Sequence, residues 1–136
     1  MSTDAEIRAV AERRFAEHRD LEKYSPLGGM MLDSVDDGYR AMEKLVELWQ
    51  SRGPIGGYKI ALTSKPIQEL CGVDQPCGGF VFRETIYPSG SELSLGDFNG
   101  LALEFELAVR IGKDIPAASA PFTAESVREY VAACHP

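Results

Sequence analysis

The sequence predicts an α+β protein that opens with a helical pair and continues into a β-rich region. Apolar residues recur every three or four positions in the first third of the chain, which is typical of amphipathic helices. After Gly56 the chain has short apolar runs bounded by glycines and turn residues. From Leu101 to Ile111 apolar residues alternate strictly with other types, as in a strand with one buried face. We therefore assign residues 1–55 to a helical region and 56–136 to a β-rich part of the same single domain.

The first helix begins with a capping box, in which Thr3 and Glu6 satisfy each other's backbone N–H groups. Its apolar stripe predicts a helix that runs to about His18 or Leu21. The residues of that stripe are Ile7, Val10, Ala11 and Phe15.

The second helix begins at Ser34, a favourable capping residue. Asp36 and Asp37 lie in its first turn, where the helix dipole favours negative charge. Gly53 and Pro54 end the helical region. We expect a buried face made of Val35, Tyr39, Met42, Leu45, Val46 and Trp49.

The β-rich region opens with a strand, a brief helix and a second strand. The strands are predicted at 58–62 and 79–83, and the helix between them at 65–70, with Ser64 as its cap and Gly72 at its end. A turn at 87–90 contains Pro88 and Gly90.

The remainder is predicted as two strands and a helix. A third strand is expected at 91–95, followed by the long strand from Leu101 to Ile111. Thr123 then caps a final helix that runs through Cys134.

Composition and charge exclude several classes of protein. The chain has 136 residues, with 14 Lys and Arg against 21 Asp and Glu, a net charge of −7. Proteins bind nucleic acids largely because their basic side chains release counterions from the phosphates. An acidic chain lacks this contribution, so no nucleic-acid partner is expected. No apolar run approaches the roughly 20 residues of a membrane helix, and the first residues do not resemble a secretory signal. We therefore expect a cytoplasmic protein with no membrane partner.

The three cysteines are expected to be free thiols in a reducing compartment. A zinc site built from Cys71, Cys77, Cys134 and His135 is conceivable. The spacing lacks the closely spaced cysteine pairs that usually form such a site.

Two glutamates are the first candidates for chemistry. Glu104 and Glu106 lie two positions apart on the predicted long strand, so both point to the same side, with Cα atoms about 6.7 Å apart. Carboxylates at that spacing can converge on one hard cation such as Mg²⁺, Mn²⁺ or Ca²⁺. The alternative is an ordinary solvated strand face.

A lysine is the second candidate. Lys59 lies on a predicted short strand flanked by glycines, with Thr63 and Ser64 close behind it. A lysine among small residues can hold a substrate carboxylate or carry a proton, and Asp74 follows on a turn. The alternatives are a solvent-facing lysine on an edge strand and a turn without further role.

These residues lie in a stretch that resembles a known family. Residues 57–82 read GYKIALTSKPIQELCGVDQPCGGFVF. That segment is similar to the 2-keto-4-pentenoate hydratase branch of the fumarylacetoacetate hydrolase family, which has a G-Y-K-I-x-L-T-S-K segment and then a G-V-D-x-P turn. Glu104-Phe105-Glu106 matches the family's E-x-E metal motif, and the likeness spans nearly the whole chain.

The resemblance implies a metal-dependent lyase that hydrates a 2-hydroxy-2,4-dienoate to a 4-hydroxy-2-oxo acid in the catabolism of aromatic compounds. It implies a Mg²⁺ or Mn²⁺ ion held by Glu104, Glu106 and a third carboxylate beyond Pro136. It makes Lys59 the proton carrier or carboxylate anchor and Asp74 a further catalytic residue, with Thr63 and Ser64 in contact with substrate.

The resemblance also implies a longer, homo-oligomeric enzyme with a mixed β-roll, of which this chain is the N-terminal portion. Three alternatives stay open. One is decarboxylation of a 2-oxo-3-enedioate, which needs the same metal-bound enolate. Hydrolysis of an acylpyruvate is less favoured, because residues 62–70 lack a histidine. The third is a non-catalytic protein, either a scaffold that keeps the family pattern or an acidic interaction domain.

Overall fold

The computed structural model describes all 136 residues and confirms an α+β architecture. It contains four α-helices and two antiparallel two-stranded sheets, one of β1 and β2 and the other of β3 and β4. The elements in chain order are α1 (Asp4–Arg19), α2 (Val35–Leu48), β1 (Ile55–Ala61), α3 (Lys65–Cys71), β2 (Cys77–Phe82), β3 (Ala108–Ile111), α4 (Ala124–Val127) and β4 (Val131–His135). The chain forms two compact units, Met1–Gly100 and Leu101–Pro136.

Helix α1 forms as the sequence predicts. Thr3 Oγ1 accepts a hydrogen bond from the Glu6 N–H at 3.3 Å, and the Glu6 carboxylate accepts one from the Thr3 N–H at 2.7 Å. The apolar stripe points inward, and Ile7 and Val10 form the core with Ala41 of α2. Three residues of the connecting segment pack against this core: Leu27, Met30 and Leu32.

Helix α2 begins at its predicted cap, where Ser34 Oγ accepts a hydrogen bond from the Asp37 N–H at 3.1 Å. Most of its expected apolar face is half-buried, but the placement of Val35 was wrong, because this first helical residue is 47% exposed. Asp37 is buried instead. Its carboxylate accepts hydrogen bonds from the Ser2 N–H at 2.8 Å and from Arg40 at 3.0 Å, which offset the cost of removing its charge from water.

The first sheet and α3 also follow the sequence prediction. Strand β1 pairs with β2 so that Lys59 lies opposite Gly79, with a bulge between Ile55 and Gly57. Two contacts join this sheet to α2 and the residue after it. The Tyr39 hydroxyl accepts a hydrogen bond from the Gly78 N–H at 3.0 Å, and the Trp49 and Phe82 rings meet edge to face with centroids 5.8 Å apart.

The predicted third strand at 91–95 was wrong. Residues 91–94 have no regular secondary structure, and Leu95–Asp97 is a short 3₁₀ turn. Strand β2 pairs only with β1. A strand requires a neighbour for its backbone hydrogen bonds, and this segment has none.

The predicted long strand was correct only at its end. Of Leu101–Ile111, only Ala108–Ile111 forms β3, paired with β4, and residues 101–107 have no regular structure. The expected buried face was also wrong, because Leu103, Phe105 and Leu107 are all exposed. Strand β4 has five residues and pairs with β3 alone, so it leaves residues 101–107 unpaired.

The predicted final helix ends early. Thr123 caps it as expected and accepts a hydrogen bond from the Ser126 N–H at 3.2 Å. Helix α4 and a 3₁₀ turn then end at Tyr130, and Val131–His135 forms β4 instead of helix. Cross-strand pairing with β3 outweighs local helix propensity here. No helix of the chain is both long and apolar enough to cross a membrane.

Candidate functional site

The positions next to Lys59 on its sheet face carry small residues. Side chains alternate along β1, so Gly57 and Ala61 share the face of Lys59, and Gly79 lies directly opposite it on β2. A Cβ at Gly79 would lie 3.6 Å from Lys59 Cγ, so the lysine stem extends over that glycine. Lys59 is exposed and takes part in an interaction of its own, so it is not an isolated charge. This surface allows a ligand to approach the strand backbone closely.

The turn after β1 carries the two hydroxyl residues. Leu62, the residue after the strand, has a left-handed conformation, with φ of 58°. Thr63 and Ser64 follow and are both exposed. Ser64 occupies the N-cap position of α3, as predicted, but its side chain makes no capping hydrogen bond. Its hydroxyl is therefore not committed to the helix end.

The turn after α3 carries Asp74. Gly72 ends the helix in a left-handed conformation, with φ of 69°, which glycine adopts without steric cost. Asp74 follows in an exposed bend, and its backbone carbonyl accepts a hydrogen bond from Lys65 Nζ at 3.1 Å. That bond brings the start of α3 and the turn after it together.

One polar residue between these turns was missed by the sequence analysis. Gln68 is buried in the middle of α3, and its Nε2 donates a hydrogen bond to the Leu62 carbonyl at 2.6 Å. Its own backbone carbonyl accepts a hydrogen bond from the Val73 N–H at 2.9 Å. The sequence gives no signal for this burial, because the apolar neighbours Ile67 and Leu70 would be expected to be buried before a glutamine.

Glu104 and Glu106 lie in the second unit, on the stretch before β3, and both are exposed. The geometric argument for their convergence assumed a strand, and the structure has none at these positions. Glu104 takes part in an interaction of its own. Their oxygens are of the type that Mg²⁺ and Mn²⁺ prefer, so the donor chemistry fits a hard cation. They supply two carboxylates, and the structure contains no cluster of three or more His, Cys, Asp or Glu side chains arranged to hold a metal ion.

Comparison with known proteins finds several bacterial hydratases. The chain is 29% identical to 2-hydroxyhexa-2,4-dienoate hydratase of Comamonas testosteroni over 98% of its own length and 53% of the relative's. It is 32% identical to 2-keto-4-pentenoate hydratase 2 of Dechloromonas aromatica over 59% of its length and 31% of the relative's. It is also 32% identical to 2-hydroxypent-2,4-dienoate hydratase of Pseudomonas putida over 56% of its length and 35% of the relative's. No family model matches the chain.

This chain is similar to the 2-keto-4-pentenoate hydratases. The resemblance inferred from the sequence motifs is therefore confirmed. The chain spans about half of the length of one of these hydratases and about a third of the others.

Proposed function

We propose that the protein is a cytoplasmic hydratase that adds water to a 2-hydroxy-2,4-dienoate and yields a 4-hydroxy-2-oxo acid. The observation that carries this proposal is the likeness to a dienoate hydratase along nearly the whole chain. We further propose that the complete enzyme has the β-roll of the fumarylacetoacetate hydrolase family and is a homo-oligomer.

The reaction requires two proton transfers to carbon. Loss of the 2-hydroxyl proton and delivery of a proton to C5 give a 2-oxo-3-enoate. Water then bonds to C4 through its oxygen, loses a proton, and a proton is delivered to C3, so that one water is added in total. Lys59 is the group that we assign to carrying a proton, because an amine on a floor of small residues can be reached by the substrate.

The hydroxyl and carboxyl groups around α3 have binding roles in this proposal. Thr63 and Ser64 follow the strand of Lys59 after Leu62, and we assign them hydrogen bonds to the substrate carboxylate. Asp74, on the turn after α3, orients the lysine or accepts its proton. These three roles are assigned from the resemblance to the hydratases, at positions where this chain has the residues of the family's motif.

We propose that Glu104 and Glu106 hold a divalent cation, Mg²⁺ or Mn²⁺, together with ligands from elsewhere. Such an ion, when bound, stabilises negative charge on the oxygen at C2 of the substrate. The two glutamates provide negative charge and oxygen donors for it, and a further carboxylate is needed for tight binding.

Turnover is the direct test of the proposed function. The protein as its gene encodes it is incubated with 2-hydroxypenta-2,4-dienoate and either Mg²⁺ or Mn²⁺, and loss of the conjugated dienol absorbance is followed. We expect a 4-hydroxy-2-oxo acid as product, with one oxygen incorporated from labelled water. Absence of product with every dienoate tried would refute the hydratase assignment, and release of CO₂ from a 2-oxo-3-enedioate would replace it with decarboxylation.

Metal binding is tested separately on the chain itself. Titration with Mn²⁺ is followed by the paramagnetic relaxation of water protons, which does not depend on turnover. We expect binding that is lost in Glu104→Gln and in Glu106→Gln. Glu92→Gln, an exposed carboxylate in a segment without regular structure, is the control. Binding that is unchanged in both test variants would remove these glutamates from the metal site.

A further inference from the structure

Helix α3 buries a glutamine and exposes a leucine. Gln68 is 3% exposed, whereas Leu70 is 80% and Ile67 38% exposed. Burial of an apolar side chain stabilises a fold, but burial of an amide costs free energy unless its polar atoms are hydrogen-bonded. The Gln68 Oε1 is buried without a hydrogen-bond partner. An apolar side chain at this position would avoid the unpaired Oε1, and polar groups left unpaired in this way are expected where a residue has a functional task.

The side-chain nitrogen of Gln68 acts on the turn before the helix. It donates a hydrogen bond to the Leu62 carbonyl at 2.6 Å. The assignment of the amide atoms is fixed, because reversing them would place two acceptors against each other. Leu62 has a φ of 58°, which is uncommon for a residue with a Cβ and persists only where its surroundings hold it. The Gln68 amide is such a restraint.

The backbone of Gln68 acts on the turn after the helix. Its carbonyl accepts hydrogen bonds from the N–H groups of Gly72 and Val73, the latter at 2.9 Å. One residue thus connects the turn that leads into Thr63 and Ser64 with the turn that leads into Asp74. No other buried residue of α3 can do this, since Gln68 is the only one.

We propose that Gln68 is a positioning residue, which holds the Leu62 turn in its left-handed form and thereby sets where Thr63 and Ser64 present their side chains relative to Lys59. This inference rests on the proposed hydratase function for its effect on turnover. Its structural part, the restraint of Leu62, stands independently. Gln68 itself is buried and does not touch the substrate.

Gln68→Leu is the test variant, because it replaces the amide, with its hydrogen-bond donor and its unpaired acceptor, by an apolar side chain of similar size. We expect the variant to fold and its kcat to fall about tenfold or more, because small misplacements of reacting groups are costly. Leu70→Gln makes the reverse change at an exposed position of the same helix and is expected to keep turnover. A Gln68→Leu protein with turnover within twofold of wild type would overturn the proposal.

A second measurement does not depend on activity. The backbone chemical shifts of Leu62 report its φ, and we expect them to leave the left-handed range in Gln68→Leu and to stay there in Leu70→Gln. Unchanged Leu62 shifts would overturn the proposal even if the protein were inactive. An inactive wild type with shifted Leu62 signals in Gln68→Leu would refute the hydratase function and leave the restraint established. If Gln68→Leu does not fold, Gln68→Met provides the same comparison.

The Gln68→Glu variant separates loss of the hydrogen bond to Leu62 from loss of side-chain packing at position 68. A protonated carboxyl can donate to the Leu62 carbonyl, whereas a carboxylate cannot. We therefore expect turnover relative to wild type to rise as the pH is lowered. A pH profile parallel to that of wild type would contradict a donor role for this side chain.

Discussion

At the scale of single residues, the Glu17 carboxylate is held by three neighbouring side chains. Its carboxylate accepts hydrogen bonds from the Ser25 hydroxyl at 2.5 Å, from Arg14 at 2.5 Å and from Arg13 at 3.2 Å. The Ser25 hydrogen bond, with those of the two arginines, lowers the pKa of Glu17 from 4.5 to about 2, against a smaller opposing effect of burial. Glu17 thus ties the end of α1 to the segment that follows it.

The Glu17 network should make stability depend on pH. Because the pKa of Glu17 is lower in the folded state than in the unfolded chain, its stabilising effect is complete above pH 4.5 and is lost as the pH falls towards 2. We expect Glu17→Gln to lower the melting temperature at pH 7 and to have much less effect near pH 2.5. Thermal unfolding across this range measures the difference. Glu12→Gln, an exposed residue 3.9 Å from Arg8, should show little effect, and equal losses in the two variants would contradict the assignment.

Lys59 is the residue whose loss should separate chemistry from folding. It is exposed on β1 and lies over Gly79, so its removal leaves no cavity in the core. We expect Lys59→Ala to keep its circular dichroism spectrum and to lose hydratase turnover by about 10²-fold or more. Lys23→Ala, at an exposed position of the segment after α1, is the matched control. Turnover near that of wild type in Lys59→Ala would remove this lysine from the mechanism.

At the scale of the element, the first sheet depends on a close approach at its bulge. A Cβ at Gly56 would lie 2.7 Å from Arg83 Cα and 2.9 Å from Ile86 Cδ1. The first of these atoms belongs to the backbone and cannot move aside without shifting the strand. Glycine is therefore required at this position by space, independently of its conformational freedom.

Adjacent glycines of β1 provide a matched test of that requirement. Gly56→Ala should destabilise the protein by about 1–3 kcal/mol, because the added methyl group forces the backbone apart. Gly57→Ala should be close to neutral, since no atom lies within 4 Å of its added Cβ. Urea unfolding measures both. Similar values for the two variants would show that β1 and the Arg83 turn do not approach as closely as the structure indicates.

At the scale of the whole molecule, burial is confined to one of the two units. The apolar core and every buried polar residue lie within Met1–Gly100. No residue of Leu101–Pro136 is buried, and its sheet consists of two short strands. Two strands without a packed face are marginally stable in water.

The uneven burial predicts uneven protection from hydrogen exchange. Amides of α1, α2 and β1 should exchange slowly, and those of β3 and β4 should exchange close to the rate of an unfolded chain. Exchange followed by NMR or mass spectrometry measures both sets in one experiment. Addition of Mn²⁺ should slow exchange around Glu104 and Glu106 if these residues bind the metal. Equal protection in the two units would contradict this distribution of stability.

Local patterns were sufficient wherever local contacts decide the structure. The capping box at Thr3, the cap at Ser34 and the glycine end of α3 at Gly72 all form as predicted, because each is a hydrogen-bonding arrangement within a few residues of the chain. The motif residues from Gly57 onward were likewise enough to indicate the likeness to the hydratases. The metal ligands and the roles of Lys59 and Asp74 stay predictions.

Tertiary contacts decided what the sequence pattern left open. Alternation from Leu101 to Ile111 shows which residues can share a face, but only pairing with β4 determines that Ala108–Ile111 is a strand and that the last predicted helix ends at Tyr130. Periodicity likewise does not specify that Gln68 is buried while Leu70 of the same helix is exposed. The sequence by itself determined the helical pair, the α3 segment and the likeness to the hydratases. Strand extent and burial were decided by tertiary structure, because backbone pairing and packing need a partner that local periodicity does not specify.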